Sequence, residues 1–492
     1  MTAPTDGAPV IRPPHGRRRR SRRWYIAGSA LALIGLVVVA VAVLTEPDTE
    51  VAAADHPALV AATPVLSARR VPEFTSRPVA SRALTQALTP IAAGLSGTSC
   101  VEVRDGGANV FASRDADPVV PASNLKVLSA AAMLELFDPD ARLTTSFVTT
   151  AAPVNGTVSG DLYVVGGGDP LLTTDSYRKT FTHGAQPETD LEAVADQLAA
   201  TGITHITGSV VGDDSRYDTQ RTVPSWKPGY ISDRESSPLS ALVVDDGSTM
   251  DPVTGGPDEA STDPTTQAAS AFTRLLAARG IQVDGAPRAG TAPAGATKVL
   301  DVPSLPMRDL VGEMLDFSDN TTAELLTKEL GVQKSGAGST AAGVATITAW
   351  VGATGLDATG VHVVDGSGLS RENRATCRFL GDVLTRGGPT GPLADGLAKP
   401  GQPGTLDKRF TSADLVDKVR AKTGTLDQVT ALSGWETTNA GRNVTFSIII
   451  NTGGRNINAS DYGAQQNLLQ SILTYPQTPA IETISPAVPT AP

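Results

Sequence analysis

From Trp24 to Leu44 the chain reads WYIAGSALALIGLVVVAVAVL, 21 positions without a charge. As a helix this stretch is roughly 31 Å long, about the thickness of a bilayer's hydrocarbon core. Six arginines between Arg17 and Arg23 precede it, and Glu46, Asp48 and Glu50 follow. The pattern predicts an uncleaved single-pass anchor with its N-terminus inside and the rest of the chain extracytoplasmic. A cleaved signal, ending near Ala52–Ala54, is the alternative. Residues 45–81 carry no sustained period and read as a Pro/Ala-rich linker. From about Arg82 the patterning becomes regular. ALTQALTPIAAGL has helical spacing, and SCVEVRD and ANVFAS alternate on either side of a Gly-Gly turn, predicting a hairpin. PVVPASNLKVLSAAAMLEL then predicts an apolar, buried helix. Near the other end LVDKVRAKTGTL, VTALSGWET and RNVTFSIIINT predict three strands, and DYGAQQNLLQSIL a closing helix. The hairpin and these strands are expected to join one antiparallel sheet covered by helices. Between them, residues 141–298 hold short strand-like runs among many Gly, Asp, Thr and Pro, and read as an inserted β-rich unit. The remaining segments are an Arg-rich cytoplasmic tail, 1–23, and a Pro-rich tail, 476–492.

Composition narrows the function classes. With 492 residues, the chain exceeds one ordinary core. A net charge of −11 and 4% aromatic residues exclude a nucleic-acid surface, which needs clustered positive charge or stacking rings. Export would expose Cys100 and Cys377 to an oxidising compartment, where a disulfide can persist. Their spacing carries no signature, and two inert buried thiols remain equally open.

The chemistry is concentrated in three short segments. A serine hydroxyl is a poor nucleophile until a base takes its proton. Only five histidines are present (His15, His56, His183, His205 and His362), two of them outside the regularly patterned part, and there is no G-x-S-x-G elbow. Lysine can replace histidine when burial or nearby positive charge lowers its pKa. Ser123 and Lys126 are three positions apart at the start of a helix, on one face. A second S-x-x-K, Ser176 to Lys179, sits in a polar stretch and reads as ordinary surface. The first copy is followed by Ser318-Asp319-Asn320 and then by Lys422-Thr423-Gly424. S-x-x-K, S-D-N and K-T-G in this order are the signature of serine acyl-enzymes that react with penicillins. Each part has a task. Ser123 attacks, Lys126 takes its proton, and Ser318 relays a proton to the leaving nitrogen. Asn320 offers its amide to substrate and to Lys126. Lys422 adds positive charge that holds Lys126 neutral, and with Thr423 it draws a substrate carboxylate. Gly424 lets the substrate backbone approach the strand edge. The N–H groups of Ser123 and Thr425 form an oxyanion hole.

These motifs, with GGGDPLL at 166–172, VVGDDSRYD at 210–218 and DGSGLSREN at 365–373, resemble the penicillin-binding D-alanyl-D-alanine carboxypeptidase/endopeptidase family, class C, over residues 82–475. The separation of 192 positions from Lys126 to Ser318 (318 − 126) fits that family's inserted domain. The resemblance implies an α/β (α+β) fold: a penicilloyl-serine transferase, β-lactamase-like domain from 82–140 and 299–475, with the insertion at 141–298. It implies a serine peptidase that acts on peptidoglycan stem peptides, is acylated by β-lactams, and uses no cofactor or metal. No E-x-x-L-N of the class A β-lactamase kind follows Ser318, so rapid penicillin turnover is not expected. A β-lactamase and a silent wall-binding homologue are the alternatives.

Overall fold

The structure is a computed structural model and describes residues 72–250 and 257–477. Helix α1 (Pro72–Ala93) opens it, so residues 72–81 of the expected linker are helical. Pro78 lies inside the helix and reads in sequence as a breaker. Ala80, Leu84, Leu88 and Ala92, spaced by four, form its buried face. The hairpin follows as β1 (Cys100–Asp105) and β2 (Ala108–Ser113). A single 3₁₀ turn, Ala122–Asn124, leads into α2 (Leu125–Leu136).

The inserted stretch builds a mixed sheet from β3 (Thr144–Thr149), β4 (Leu162–Val165), β5 (Val210–Asp213), β6 (Arg288–Ala289) and β7 (Thr297–Pro303), in the order β6-β5-β4-β3-β7. Two helices that the sequence reading does not name, α3 (Leu191–Ala200) and α4 (Pro264–Ala277), belong to the same region. Leu198, Phe147 and Phe272 share its apolar core. The region therefore holds these helices as well as the strands. Asp190 and Asp263 cap the two helices through the N–H groups of Ala193 and Thr266, both at 3.0 Å.

The chain then forms α5 (Met307–Asp316), α6 (Asn320–Ser335), α7 (Thr340–Thr354) and α8 (Cys377–Gly387). It ends with β8 (Val419–Leu426), β9 (Val429–Thr437), β10 (Asn443–Asn451) and α9 (Ala459–Leu473). These strands join the first hairpin in one antiparallel sheet, β8-β9-β10-β1-β2. Both faces are buried with period two. Ile449 packs against α2, α5 and α8, while Ile448 and Ile450 pack against α1 and α9. A disulfide joins Cys100 in β1 to Cys377 at the start of α8. Strand β8 is an edge; Ala398 bridges to it at Ala421, and Thr423 to Thr425 are left open to an added strand. Among the described residues no helix is long and apolar enough to cross a membrane, and the span expected at 24–44 lies outside them.

Candidate active site

Ser123 stands in the 3₁₀ turn, half-buried at the head of α2. The turn is reached through Ala122 at φ 47°, a left-handed residue. Its approach is held from the end of β10. Asn451 Oδ1 accepts from Val120 N at 2.9 Å, and Asn451 Nδ2 donates to Val120 O at 3.0 Å. One helical turn on, the amine of Lys126 is fully buried among apolar neighbours. Its Nζ lies 3.1 Å from Ser123 Oγ, 2.5 Å from Asn320 Oδ1 and 2.8 Å from the carbonyl of Ser367. Asn320 Oδ1 and the carbonyl can only accept. A neutral amine has two N–H donors and one lone pair. In that form the two acceptors use both donors and the lone pair faces the serine hydroxyl, whereas the protonated amine donates to Ser123 Oγ as well. Burial pushes the Lys126 amine down to about 8, although Asp319, Asp365, Glu324 and Glu313 pull the other way.

Asn320 is the first residue of α6. Its Nδ2 donates to the carbonyl of Glu235 in the inserted region at 2.6 Å, which turns Oδ1 toward Lys126. Asp319 caps α6 by accepting from Thr322 N at 2.9 Å. Ser318, at φ 65°, is thereby free of the cap and lines the cleft. Among the described residues no hydrogen bond joins it to Lys126.

The third segment is the edge strand β8. Thr423, Gly424 and Thr425 line the cleft, whereas Lys422 is fully buried behind them, with its Nζ donating to Thr423 O at 3.1 Å. A substrate carboxylate would therefore meet Thr423, with Lys422 out of reach behind it. Burial and the charge of Lys126 lower the Lys422 amine well below its ordinary value. The lowering of Lys126 comes instead from burial, so the expected role of a Lys422 charge in holding it neutral is not what shifts it. Asn124 Nδ2 donates to Lys422 O at 3.1 Å and ties the strand to the serine turn. The approach is close: a Cβ on Gly424 would fall 2.9 Å from Asn124 Nδ2 and 3.1 Å from Pro121 O.

The resemblance places the loop 365–373 near the site without a catalytic role, and the structure shows that it supplies the Ser367 carbonyl to Lys126. Glu324, fully buried in α6, accepts from the N–H groups of Gly366 (3.0 Å) and Ser367 (2.8 Å) and so aims that carbonyl. Asp365 accepts from Trp226 Nε1 at 2.9 Å and from the N–H groups of Gly368 and Ser370. A carboxylate in the apolar run Ala323–Leu326 was a signal of a buried role. A carbonyl leaves none.

The assembled cleft has a volume of about 470 Å³. Carboxyls dominate its charged lining, with Glu235, Asp246, Glu313 and Asp319 against Arg234. The second S-x-x-K lies in a short helix, Asp175–Arg178, where Arg178 pairs with Asp175, Glu188 and Asp190. Of that copy only Tyr177 lines the cleft. His183 and His205 pair with Asp407 and Asp284, and neither lines the cleft.

The model of the D-Ala-D-Ala carboxypeptidase 3 (S13) family matches residues 83–261 and 256–471. Carboxypeptidase DacB of Mycolicibacterium smegmatis is 33% identical over 457 residues, covering 89% of this chain and 95% of that protein. The D-alanyl-D-alanine carboxypeptidase of Actinomadura sp. strain R39 is 28% identical over 422 residues, covering 70% of this chain and 76% of that protein. The solved structure of penicillin binding protein 4 from Haemophilus influenzae shares the fold, with a TM-score of 0.65 at 21% identity over 79% of this chain and 99% of that one. Sequence motifs, the geometry that unites them and a match running from within α1 to α9 agree, and the chain belongs to the D-Ala-D-Ala carboxypeptidase 3 (S13) family.

Proposed function

We infer that the protein is a serine-type D-Ala-D-Ala carboxypeptidase/endopeptidase that acts on peptidoglycan stem peptides. One observation carries the reading. The buried Lys126 amine is held between two fixed acceptors with its Nζ 3.1 Å from Ser123 Oγ, so that when neutral it meets the hydroxyl with its lone pair. The substrate adds to the free edge of β8 as a further strand, with its carboxylate near Thr423. Ser123 Oγ bonds to the carbonyl carbon of the penultimate D-alanine while its proton passes to Lys126. The oxyanion is met by the N–H groups of Ser123 and Thr425, donors of a kind worth about 10²–10³ each in rate. The amide C–N bond breaks, and Lys126 returns the proton to the departing nitrogen, with Ser318 in position to relay it. Water then cleaves the ester and restores Ser123. A β-lactam enters the same path, acylates Ser123 and leaves slowly. The inserted region contributes through the Glu235 carbonyl that orients Asn320. The uncharged span 24–44 is read as the anchor that keeps this chemistry at the outer face of the plasma membrane.

The test compares the full chain with Ser123→Ala. Defined muropeptides should lose D-alanine, or be cut at cross-links, only with the native serine, as followed by mass spectrometry. Fluorescent penicillin should label the native chain stably, in the membrane fraction. Rapid turnover of a chromogenic cephalosporin would point to a β-lactamase instead. Absence of any Ser123-dependent labelling would leave a silent wall-binding homologue.

A further inference from the structure

Three consecutive residues of the inserted region, Asp245, Asp246 and Gly247, are left-handed, at φ 55°, 49° and 64°. Glycine adopts that backbone freely, but a residue with a Cβ keeps it only where its surroundings force it. Here they do. Asp245 Oδ1 accepts from Thr174 N at 2.7 Å, and its Oδ2 from Thr174 Oγ1 at 3.0 Å. Gly247 N donates to Val244 O at 3.0 Å, and Gly247 O accepts from Ser261 N at 2.8 Å. A Cβ on Gly247 would fall 2.7 Å from Ser237 Cβ, so the turn rests against Ser237. Held in this way, the turn presents Asp246 to the head of α6. Asp246 Oδ1 accepts from Thr321 Oγ1 at 2.5 Å, and Thr321 Oγ1 accepts in turn from Ser237 N at 2.9 Å.

We propose that Asp246 is a positioning residue for the reaction: through Thr321 it holds the first turn of α6, and so keeps Asn320 Oδ1 on the Lys126 amine. The proposal rests on the reading of Lys126 as the base. Thr321 follows Asn320 directly and is buried. The first N–H groups of a helix find no carbonyl within it, so the first turn is fixed by side chains. Asp319 holds this one at Thr322 N. The Thr321 hydroxyl holds it against the inserted region, giving its one proton to Asp246 and accepting from Ser237. The Glu235 carbonyl orients the Asn320 amide, but the backbone that carries the amide is fixed by Thr321. Burial and the neighbouring charge of Asp319 raise the Asp246 carboxyl well above its ordinary value. A neutral amide is therefore a close replacement for it.

The test follows Ser123 acylation by penicillin in the full-length protein, with a melting curve for each variant. Asp246→Gly removes the carboxyl and relieves the left-handed backbone, so its Tm should stay within about 2 °C of native or rise. Its second-order acylation rate should nevertheless fall about tenfold or more, because Asn320 is no longer held in place. Asp246→Asn tolerates the same backbone and keeps an oxygen for Thr321, and should acylate within about threefold of native. Asp246 lines the cleft, whereas Thr321 is 1% exposed and does not, so Thr321 variants reach the reaction only through their neighbours. Thr321→Val, close in shape but without the hydroxyl, should lose about tenfold or more, and Thr321→Ser should stay within about threefold. This second pair decides the matter should Asp246→Gly fail to fold. A native rate in Asp246→Gly or in Thr321→Val would overturn the proposal. So would equal losses in Asp246→Asn and Asp246→Gly, which would make the charge, not the held hydroxyl, the cause. A native chain that penicillin never labels overturns the acyl-enzyme reading, and the proposal with it.

Discussion

A lysine amine at its ordinary value near 10.5 is almost wholly protonated at pH 7. At about 8 the neutral fraction of Lys126 is ~300-fold larger and reaches about a tenth. The shift makes a strong base scarce but usable, and gives the first prediction. The rate of Ser123 acylation by penicillin should rise with pH and level off above about 8. Lys126→Arg, whose guanidinium stays charged, should lose about 10²–10⁴ of that rate at every pH. Stopped-flow labelling between pH 6 and 10 measures both, and a flat native profile would remove Lys126 as the base. The i, i+3 pairing of Ser123 with Lys126 was legible because helix geometry is local. Its partners were less so. Asn320 could be named from its motif, but its orientation depends on a backbone carbonyl 85 positions away, at Glu235. Ser367 acts through its carbonyl, which every residue has. The burial of Lys422 was hidden because both faces of its sheet are covered, so alternation along β8 says nothing about which side meets solvent.

Strand β8 and the serine turn form the working contact between elements. Glycine at 424 lets them close to the distance at which Asn124 bonds the strand. Gly424→Ala should push them apart by several tenths of an ångström, misaligning the Ser123 and Thr425 N–H groups. A misplacement of that kind costs catalysis more than folding. Penicillin acylation should drop at least tenfold with a change in Tm of only a few degrees, and an unaffected acylation rate would show that the contact has slack. Elements with simple periods were legible, among them the hairpin, β8 to β10 and α2. Others were masked. Pro78 hid the start of α1, and the Gly, Asp, Thr and Pro content of the inserted region hid α3 and α4. Their starts were nonetheless written in the chain, as Asp190 before an apolar repeat and as Asp263 followed by Pro264.

At the scale of the molecule the Cys100–Cys377 bond closes a loop with a sequence separation of 277. The loop contains β1 to β7, α2 to α7 and the inserted region, and with them Ser123, Lys126, Ser318 and Asn320, but leaves Lys422 on β8 outside. Sequence alone left this pairing open, because long-range proximity has no local signature. Cross-linking so long a loop removes unfolded-state entropy worth at most about 5 kcal/mol. Spread over an unfolding entropy of roughly 0.8 kcal/mol per kelvin for a body of this size, that is about 6 °C in Tm. Both sulfurs sit in the core shared by α2, α5 and α8, and neither bonds a residue of the cleft. The double variant Cys100→Ala/Cys377→Ala should therefore melt lower than the oxidised native protein by up to about 6 °C, while keeping Ser123 labelling by fluorescent penicillin at 25 °C. Reductant should not move the variant's melting curve. Identical melting of variant and oxidised native protein would mean that sheet and helix packing alone hold β1 against α8. Loss of labelling with an unchanged Tm would mean that the bond positions the serine turn rather than stabilising the fold.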